Sequence, residues 1–321
     1  MSLTRRTLLS LPLLPLAPTA LTQGPAKAPE PVETRLVFGG DVILARGVAD
    51  VARRKNDPSS PTRDIAELFS KADIAFVNLE SPFWDKKPAG NSELIFRADP
   101  PMIAALQLAG IDVVSTANNH ARDCYEQGVG FTLALLKEHG IAVAGSGEDA
   151  EAAHAGAVLE RNGWRFGFLG YTFDQSNGNH VDIDPRIAML DAAQMRLDVA
   201  RMKHHADVVV VSMHAGAEYW IKQHPIQTAF AHAAIEAGAK VVVGHHPHVV
   251  QPVERYRDGV IFYSLGNLVF DQLRKETREG LVAEVVFLGI EPLRYKLIPV
   301  DIVDTVPRVS STRPSEVHLF A

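Results

Sequence analysis

From residue 36 onward, short apolar runs alternate with stretches of helical periodicity. Leu36-Val37-Phe38, Ile74-Ala75-Phe76-Val77, Val113-Val114-Ser115-Thr116 and Ile141-Ala142-Val143-Ala144 are mostly β-branched or aromatic and are bounded by glycine or polar residues, so each predicts a buried strand. Between them, residues 64–71, 101–109 and 128–139 predict helices, the last two stopped by Gly110 and Gly140. The second half keeps the rhythm. Strands are predicted at 208–211, 241–243 and 260–263, and helices at 191–205 and 225–237. Residues 156–171 predict two strands turning at Asn162-Gly163, residues 172–187 a loop, and 280–288 and 293–300 two late strands. The alternation predicts an α/β fold, and the adjacent strand pairs predict mixed sheets.

Six of the strand candidates run into polar clusters. These are Asp41 after Gly39-Gly40, Asn78 with Glu80, Asn118-Asn119-His120, His214, the run His245-His246-Pro247-His248, and Asn267. In an open α/β sheet, ligands bind in the crevice beyond the carboxyl ends of the strands, so separate strands can bring these side chains together. Imidazole with carboxylate and amide oxygen suits manganese, iron or zinc better than magnesium or calcium. The oxygen-rich set without cysteine argues against a closed structural zinc knot. One or two divalent ions are expected, and a pair could activate a water and clamp both oxygens of a displacement. Plainer roles exist for single members: Asp41 as a helix N-cap, Asn118 and Asn119 as turn formers.

Composition narrows the picture. The 321 residues carry a net charge of −6, which gives no electrostatic footing for nucleic acid. A single cysteine, Cys124, excludes an intrachain disulfide. Arg5 and Arg6 precede an apolar run broken by prolines, with small residues Ala26 and Ala28 beyond it. Residues 1–28 therefore read as an export signal, of a twin-arginine type, that would place the protein in the periplasm or otherwise outside the cytoplasm. Residues 29–34 read as a linker, 35–303 as one domain and 304–321 as a C-terminal tail.

Longer motifs carry a resemblance: Gly40-Asp41-Val42-Ile43-Leu44, Asn78-Leu79-Glu80-Ser81-Pro82, Ala117-Asn118-Asn119-His120, His214-Ala215-Gly216-Ala217-Glu218-Tyr219, Gly244-His245-His246-Pro247-His248, and Tyr263-Ser264-Leu265-Gly266-Asn267 with Leu268 through Gln272. In this order they resemble the capsule-biosynthesis CapA family, associated with poly-γ-glutamate synthesis, within the calcineurin-like metallophosphatase superfamily. The resemblance implies a four-layer α/β/β/α sandwich with mixed sheets. It implies Asp41, Glu80, Asn119, His214, His246 and His248 as metal ligands and His120 as general acid or base, a role suited to imidazole near neutral pH. Asn78, Asn118, His245, Asn267 and Arg46 are expected behind the ligands or against the substrate.

One departure from the wider superfamily stands out. Its first motif is Asp-x-His, whereas Val42-Ile43 follow Asp41 here, as in the CapA family itself. One imidazole is thereby lost. The resemblance implies a metal-dependent hydrolase-type site acting in synthesis or processing of poly-γ-glutamate, with an anionic polymer or phosphorylated compound as substrate and a membrane capsule-synthesis complex as partner. The lost imidazole keeps open a non-catalytic protein of polymer binding or export assembly, and a broad exported phosphoesterase is the third reading.

Overall fold

The computed structural model describes residues 32–87, 94–172 and 184–320. The expected export signal at residues 1–28, His180 and most of the loop expected at 172–187 lie outside the described residues.

The chain first lays down β1 (Glu33–Val42), β2 (Ile74–Leu79), β3 (Val113–Ser115) and β4 (Ala142–Ala144), parallel neighbours in that order. Four helices lie between or after them: α1 (Arg46–Arg54), α2 (Ala66–Ser70), α3 (Ile103–Ala109) and α4 (Tyr125–Glu138). After α5 (Ala150–Ala155) a second sheet begins with β5 (Ala157–Arg161) and β6 (Trp164–Thr172). These are antiparallel and turn at Asn162 and Gly163, both with positive φ, as an Asn-Gly hairpin requires. α6 (Ala192–Met202), β7 (Val208–His214), α7 (Pro225–Ala237), β8 (Val241–His245), β9 (Val253–Tyr256) and β10 (Gly259–Phe262) complete it. The chain then returns to the first sheet through β11 (Asn267–Val269), β12 (Glu279–Leu288), β13 (Glu291–Val303), β14 (Val306–Val309) and β15 (Glu316–Leu319).

Among the described residues this makes a nine-stranded and a six-stranded sheet. The side-chain period of two sorts each strand between two cores. Leu36, Phe38, Phe76, Val208, Val210 and Phe262 fill the space between the sheets. Val37, Ala75 and Val77 face α1 and α3 on one outer side, and Val209, Val211 and Val242 face α6 and α7 on the other. The result is the α/β/β/α sandwich, with mixed sheets.

Several elements differ from the sequence reading. β1 runs past the expected end at Gly39-Gly40-Asp41 to Val42, because Asp41 and Val42 pair with β11, and a Cβ on Gly40 would sit 1.9 Å from the Gly266 carbonyl oxygen just before it. Its pairing starts at Glu33, inside the expected linker. Residues 64–71 divide into a 3-10 turn and the short α2. The expected C-terminal tail contributes β14 and β15, both paired to β13. α1, α5 and β9, which pairs with the expected strand β10, are absent from the sequence pattern. α1 buries only Val48, Ala49 and Ala52, too narrow a stripe to stand out in the sequence.

Candidate metal centre

Register assembles the centre. Asp41 on β1 pairs with Asn78 on β2 and with Asn267 on β11, and His214 on β7 pairs with His245 on β8. The polar ends of both sheets thus meet at one edge of the sandwich. Asp41, Glu80 and His214 are fully buried, and each offers a ligand atom within 4.8 Å of the others. His214 Nε2 lies 2.7 Å from Asn119 Oδ1 and 3.8 Å from Glu80 Oε1, so imidazole, amide and carboxylate converge there. The His246 ring is 4.9 Å from that of His214 and 6.0 Å from that of His248. His248 Nδ1 faces Asp41 Oδ2 at 3.3 Å.

Neighbouring amides fix the ligands. Asn78 Nδ2 donates to Asp41 Oδ1 at 2.8 Å and to Glu80 Oε1 at 3.3 Å, and lies 3.2 Å from His214 Nδ1. Asn118 Nδ2 donates to the Leu79 carbonyl at 2.8 Å, and Asn118 Oδ1 accepts from the His120 backbone N–H at 3.1 Å. Asn267 Nδ2 donates to Gln272 Oε1 and to the Thr277 carbonyl, which leaves Asn267 Oδ1 to accept from His248 Nδ1 at 2.9 Å. The proton of His248 is thereby held on Nδ1 and the lone pair on Nε2, the pattern by which outer partners orient a metal-bound histidine. His246 and His248 have left-handed backbones, φ 96° and 59°. Non-glycine residues hold such conformations where the surroundings enforce them, often at functional sites.

The residues fit a divalent cation. Burial, then the Asp41 carboxylate, pushes the Glu80 carboxyl well above its usual range. Burial pushes Asp41 upward too, but the imidazoles of His245 and His248 beside it outweigh burial and hold it well below. Among the described residues neither carboxylate meets a lysine or arginine. Burying unpaired carboxylates costs several kcal/mol, on the order of the penalties for ions in protein interiors, and a divalent cation offsets it. Glu80 Oε2 and His245 Nε2 are buried without a hydrogen bond among the described residues. Burial, then the charge of His246, holds His214 well below its usual range, while burial, then His248, lowers His246 to about 3. Both imidazoles are therefore neutral at pH 7, the form that binds a metal.

The superfamily's first-motif imidazole would stand at position 43. Ile43 is instead fully buried in the core beneath α1. An imidazole arrives from the other sheet: His245 Nδ1 is 3.3 Å from Asp41 Oδ1.

Asp123 and Phe96, to which the sequence assigns no role, fix His120, and Arg46 lies beside them. Asp123 Oδ2 lies 2.8 Å from His120 Nδ1 and accepts from the Phe96 N–H at 2.7 Å, and Phe96 stacks on His120 with centroids 3.7 Å apart. This holds the His120 proton on Nδ1 and leaves Nε2 to exchange a proton. The spacing His120 to Asp123 was the available signal. Arg46 is tied to Asp271, with Nη2 to Oδ1 at 2.7 Å and Nε to Oδ2 at 3.1 Å, and lies over the Phe96 ring at 4.8 Å. Histidines outside the centre have structural partners: His154 contacts Asp198 and His232 contacts Glu254.

Comparison with known proteins agrees with this architecture. The family described as "Bacterial capsule synthesis protein PGA_cap" matches residues 35–272. The PGA biosynthesis protein CapA of Bacillus subtilis (strain 168) is 31% identical over 274 residues, covering 84% of this chain and 72% of that protein. A hypothetical protein from Thermus thermophilus superposes with a TM-score of 0.54 at 18% identity, over 84% of this chain and 99% of that one. A putative 5'-nucleotidase from Staphylococcus aureus, solved with alpha-ketoglutarate, gives a TM-score of 0.50 at 13% identity, over 88% of this chain and 56% of that one. These two likenesses speak to the fold, which is metallophosphatase-like. With the family match over most of its length and a relative of that similarity, the chain belongs to the bacterial capsule synthesis protein PGA_cap family, the CapA family of the metallophosphatase-like superfamily.

Proposed function

We propose that this chain is an exported protein of poly-γ-glutamate synthesis or processing with a metal-dependent hydrolase-type site. The observation that carries the reading is the convergence of Asp41, Glu80, Asn119 and His214 beside His246 and His248, with a buried carboxylate oxygen left without a donor among the described residues. A bound divalent cation would supply Lewis-acid polarisation of a phosphoryl or acyl oxygen and a nucleophilic water at neutral pH. The chain's own part is positioning and proton transfer. Asp41, Glu80, Asn119, His214, His246 and His248 would hold the cation. Asn78 and Asn267 orient the ligands, and His120, held by Asp123 and Phe96, would serve as general acid or base: with its proton on Nδ1 the neutral ring takes a proton at Nε2, and the imidazolium so formed gives it up to the leaving group. Manganese, iron or zinc suits the donors.

Metal analysis of the purified protein tests the reading. About one equivalent or more of manganese, iron or zinc is expected after reconstitution, since such a donor set should retain an ion. A content below about 0.2 equivalents would sink it. Ile43 in place of an imidazole favours the second reading, a non-catalytic protein of polymer binding or export assembly. His120→Ala separates the two. Hydrolysis predicts retained cation and lost turnover; pure binding predicts no turnover in either protein. The twin-arginine-type start at Arg5-Arg6 supports export to the periplasm, and partnership with a membrane capsule-synthesis complex belongs to the same proposal. Retention of a residue 1–28 fusion in the cytoplasm would count against export.

A further inference from the structure

Charged groups around the mouth of the centre are mostly compensated. Arg46 is held by Asp271, and Lys275 lies 3.7 Å from Glu279. Arg274 is not. Its guanidinium lies over the Tyr219 ring, 4.1 Å from the centroid, and makes no hydrogen bond or ion pair among the described residues. Glu218 also acts on the Tyr219 phenol but makes no ion pair with Arg274.

Tyr219 itself is held firmly. Its backbone is left-handed, φ 67°, which costs an aromatic residue free energy and persists only where contacts enforce it. The Tyr219 N–H donates to the Pro247 carbonyl at 2.8 Å, between two candidate ligands. Its hydroxyl accepts from Gln272 Nε2 at 3.4 Å, Gln272 Oε1 accepts from Asn267 Nδ2 at 3.0 Å, and Asn267 Oδ1 accepts from His248 Nδ1 at 2.9 Å. The rings of Tyr219 and His248 are 6.3 Å apart. An arginine is thus parked on an aromatic platform that is hydrogen-bonded through to the centre, with its planar N–H fork unspent.

The geometry points to an oxyanion subsite at the rim, in which Arg274 on Tyr219 binds a carboxylate or phosphate group of the substrate next to the group held at the metal centre. Guanidinium presents paired donors to such groups, and stacking pre-organises it at little entropic cost. This subsite rests on the metal-centre reading for its role but not for its binding.

Calorimetric titration with a γ-linked glutamate oligomer and, separately, with inorganic phosphate tests it at low salt, with and without cation, while cation content is measured in parallel. Wild type is expected to bind at least one probe, and which one binds distinguishes carboxylate from phosphate. Arg274→Ala should weaken binding about tenfold, as expected for loss of a charge-assisted pair, with cation content unchanged. Arg274→Lys should recover part, keeping charge without the planar stack. Binding of both probes by Arg274→Ala within twofold of wild type overturns the subsite, as does a wild type that binds neither. A wild type that holds no cation sinks the metal-centre reading instead, and the cation-free comparison still decides the role of Arg274.

Discussion

Asp123 and the backbone of Phe96 meet on one oxygen: Asp123 Oδ2 is 2.8 Å from His120 Nδ1 and 2.7 Å from the Phe96 N–H. The same Phe96 stacks on His120. The imidazole therefore has one orientation and one proton position. If the site is hydrolytic, Asp123→Asn should lower kcat by about 10- to 100-fold, part of the 100- to 10,000-fold typical of general acid–base catalysis. Cation content should not change. Steady-state kinetics on a phosphoester, with metal analysis, checks this. Unchanged kcat would remove His120 from proton transfer.

Glu80 makes the cation-free protein sensitive to pH. Its folded pKa is raised, so above its ordinary value of 4.5 the folded state binds more protons than the unfolded one, and stability falls as pH rises. Glu80→Gln should therefore be more stable than wild type in chelator, by a margin that grows from pH 5 to pH 8. His214 and His246 act the other way. Their folded pKa values are depressed, so below the ordinary 6.5 the unfolded chain takes up protons the folded one refuses, and stability is lost as pH falls. Urea midpoints at several pH values measure both effects, and a margin that shrinks with pH would refute the assignment for Glu80.

Cation binding should stabilise the fold. At a free concentration one hundred times Kd the gain is about 2.7 kcal/mol. For a domain of this size that corresponds to a rise in Tm of about 4–5 °C. Scanning calorimetry with and without chelator reads the shift, and Glu80→Gln or His214→Ala should lose most of it.

Much of this was legible in the chain. The apolar runs at residues 36, 74, 113, 208 and 241 became strands because β-branched and aromatic residues buried on both faces have few alternatives. The polar clusters met because register aligned Asp41 with Asn78 and Asn267. What stayed hidden depends on close approach between distant segments. Gly39-Gly40 reads as a strand end until β11 is known to press on it. Asp123 reads as a loop acid until Phe96 delivers its N–H. β14 and β15 are short strands, the first half exposed and the second mostly exposed, so their pattern resembles a tail.

Two glycines should prove intolerant. A Cβ on Gly40 would sit 1.9 Å from the Gly266 oxygen, and one on Gly244 would sit 2.0 Å from the Tyr263 oxygen. Both obstacles are backbone and cannot swing aside. Gly40→Ala and Gly244→Ala should each cost about 3 kcal/mol or more, in the range of severe core changes. Denaturant unfolding measures this, and a loss under about 1 kcal/mol would show that the opposing backbone can retreat.

Cys124 is buried, and burial, then the Asp123 charge, pushes its thiol up to about 12. It should resist a thiol reagent at pH 8 while the protein is folded and react fully in denaturant. Its labelling rate would then report opening of the segment that carries His120.

The centre draws on both ends of the synthesis. The His246 N–H that meets Asp41 Oδ2 comes from 205 residues further along the chain, and the amide that holds His248 comes later still, at Asn267. A nascent chain therefore displays Asp41 and Glu80 long before their imidazole partners exist. If the centre holds a cation, its donor set is complete only after His248 has been made and the second sheet has met the first, so the cations present at that stage, rather than at the start of synthesis, would decide which metal enters.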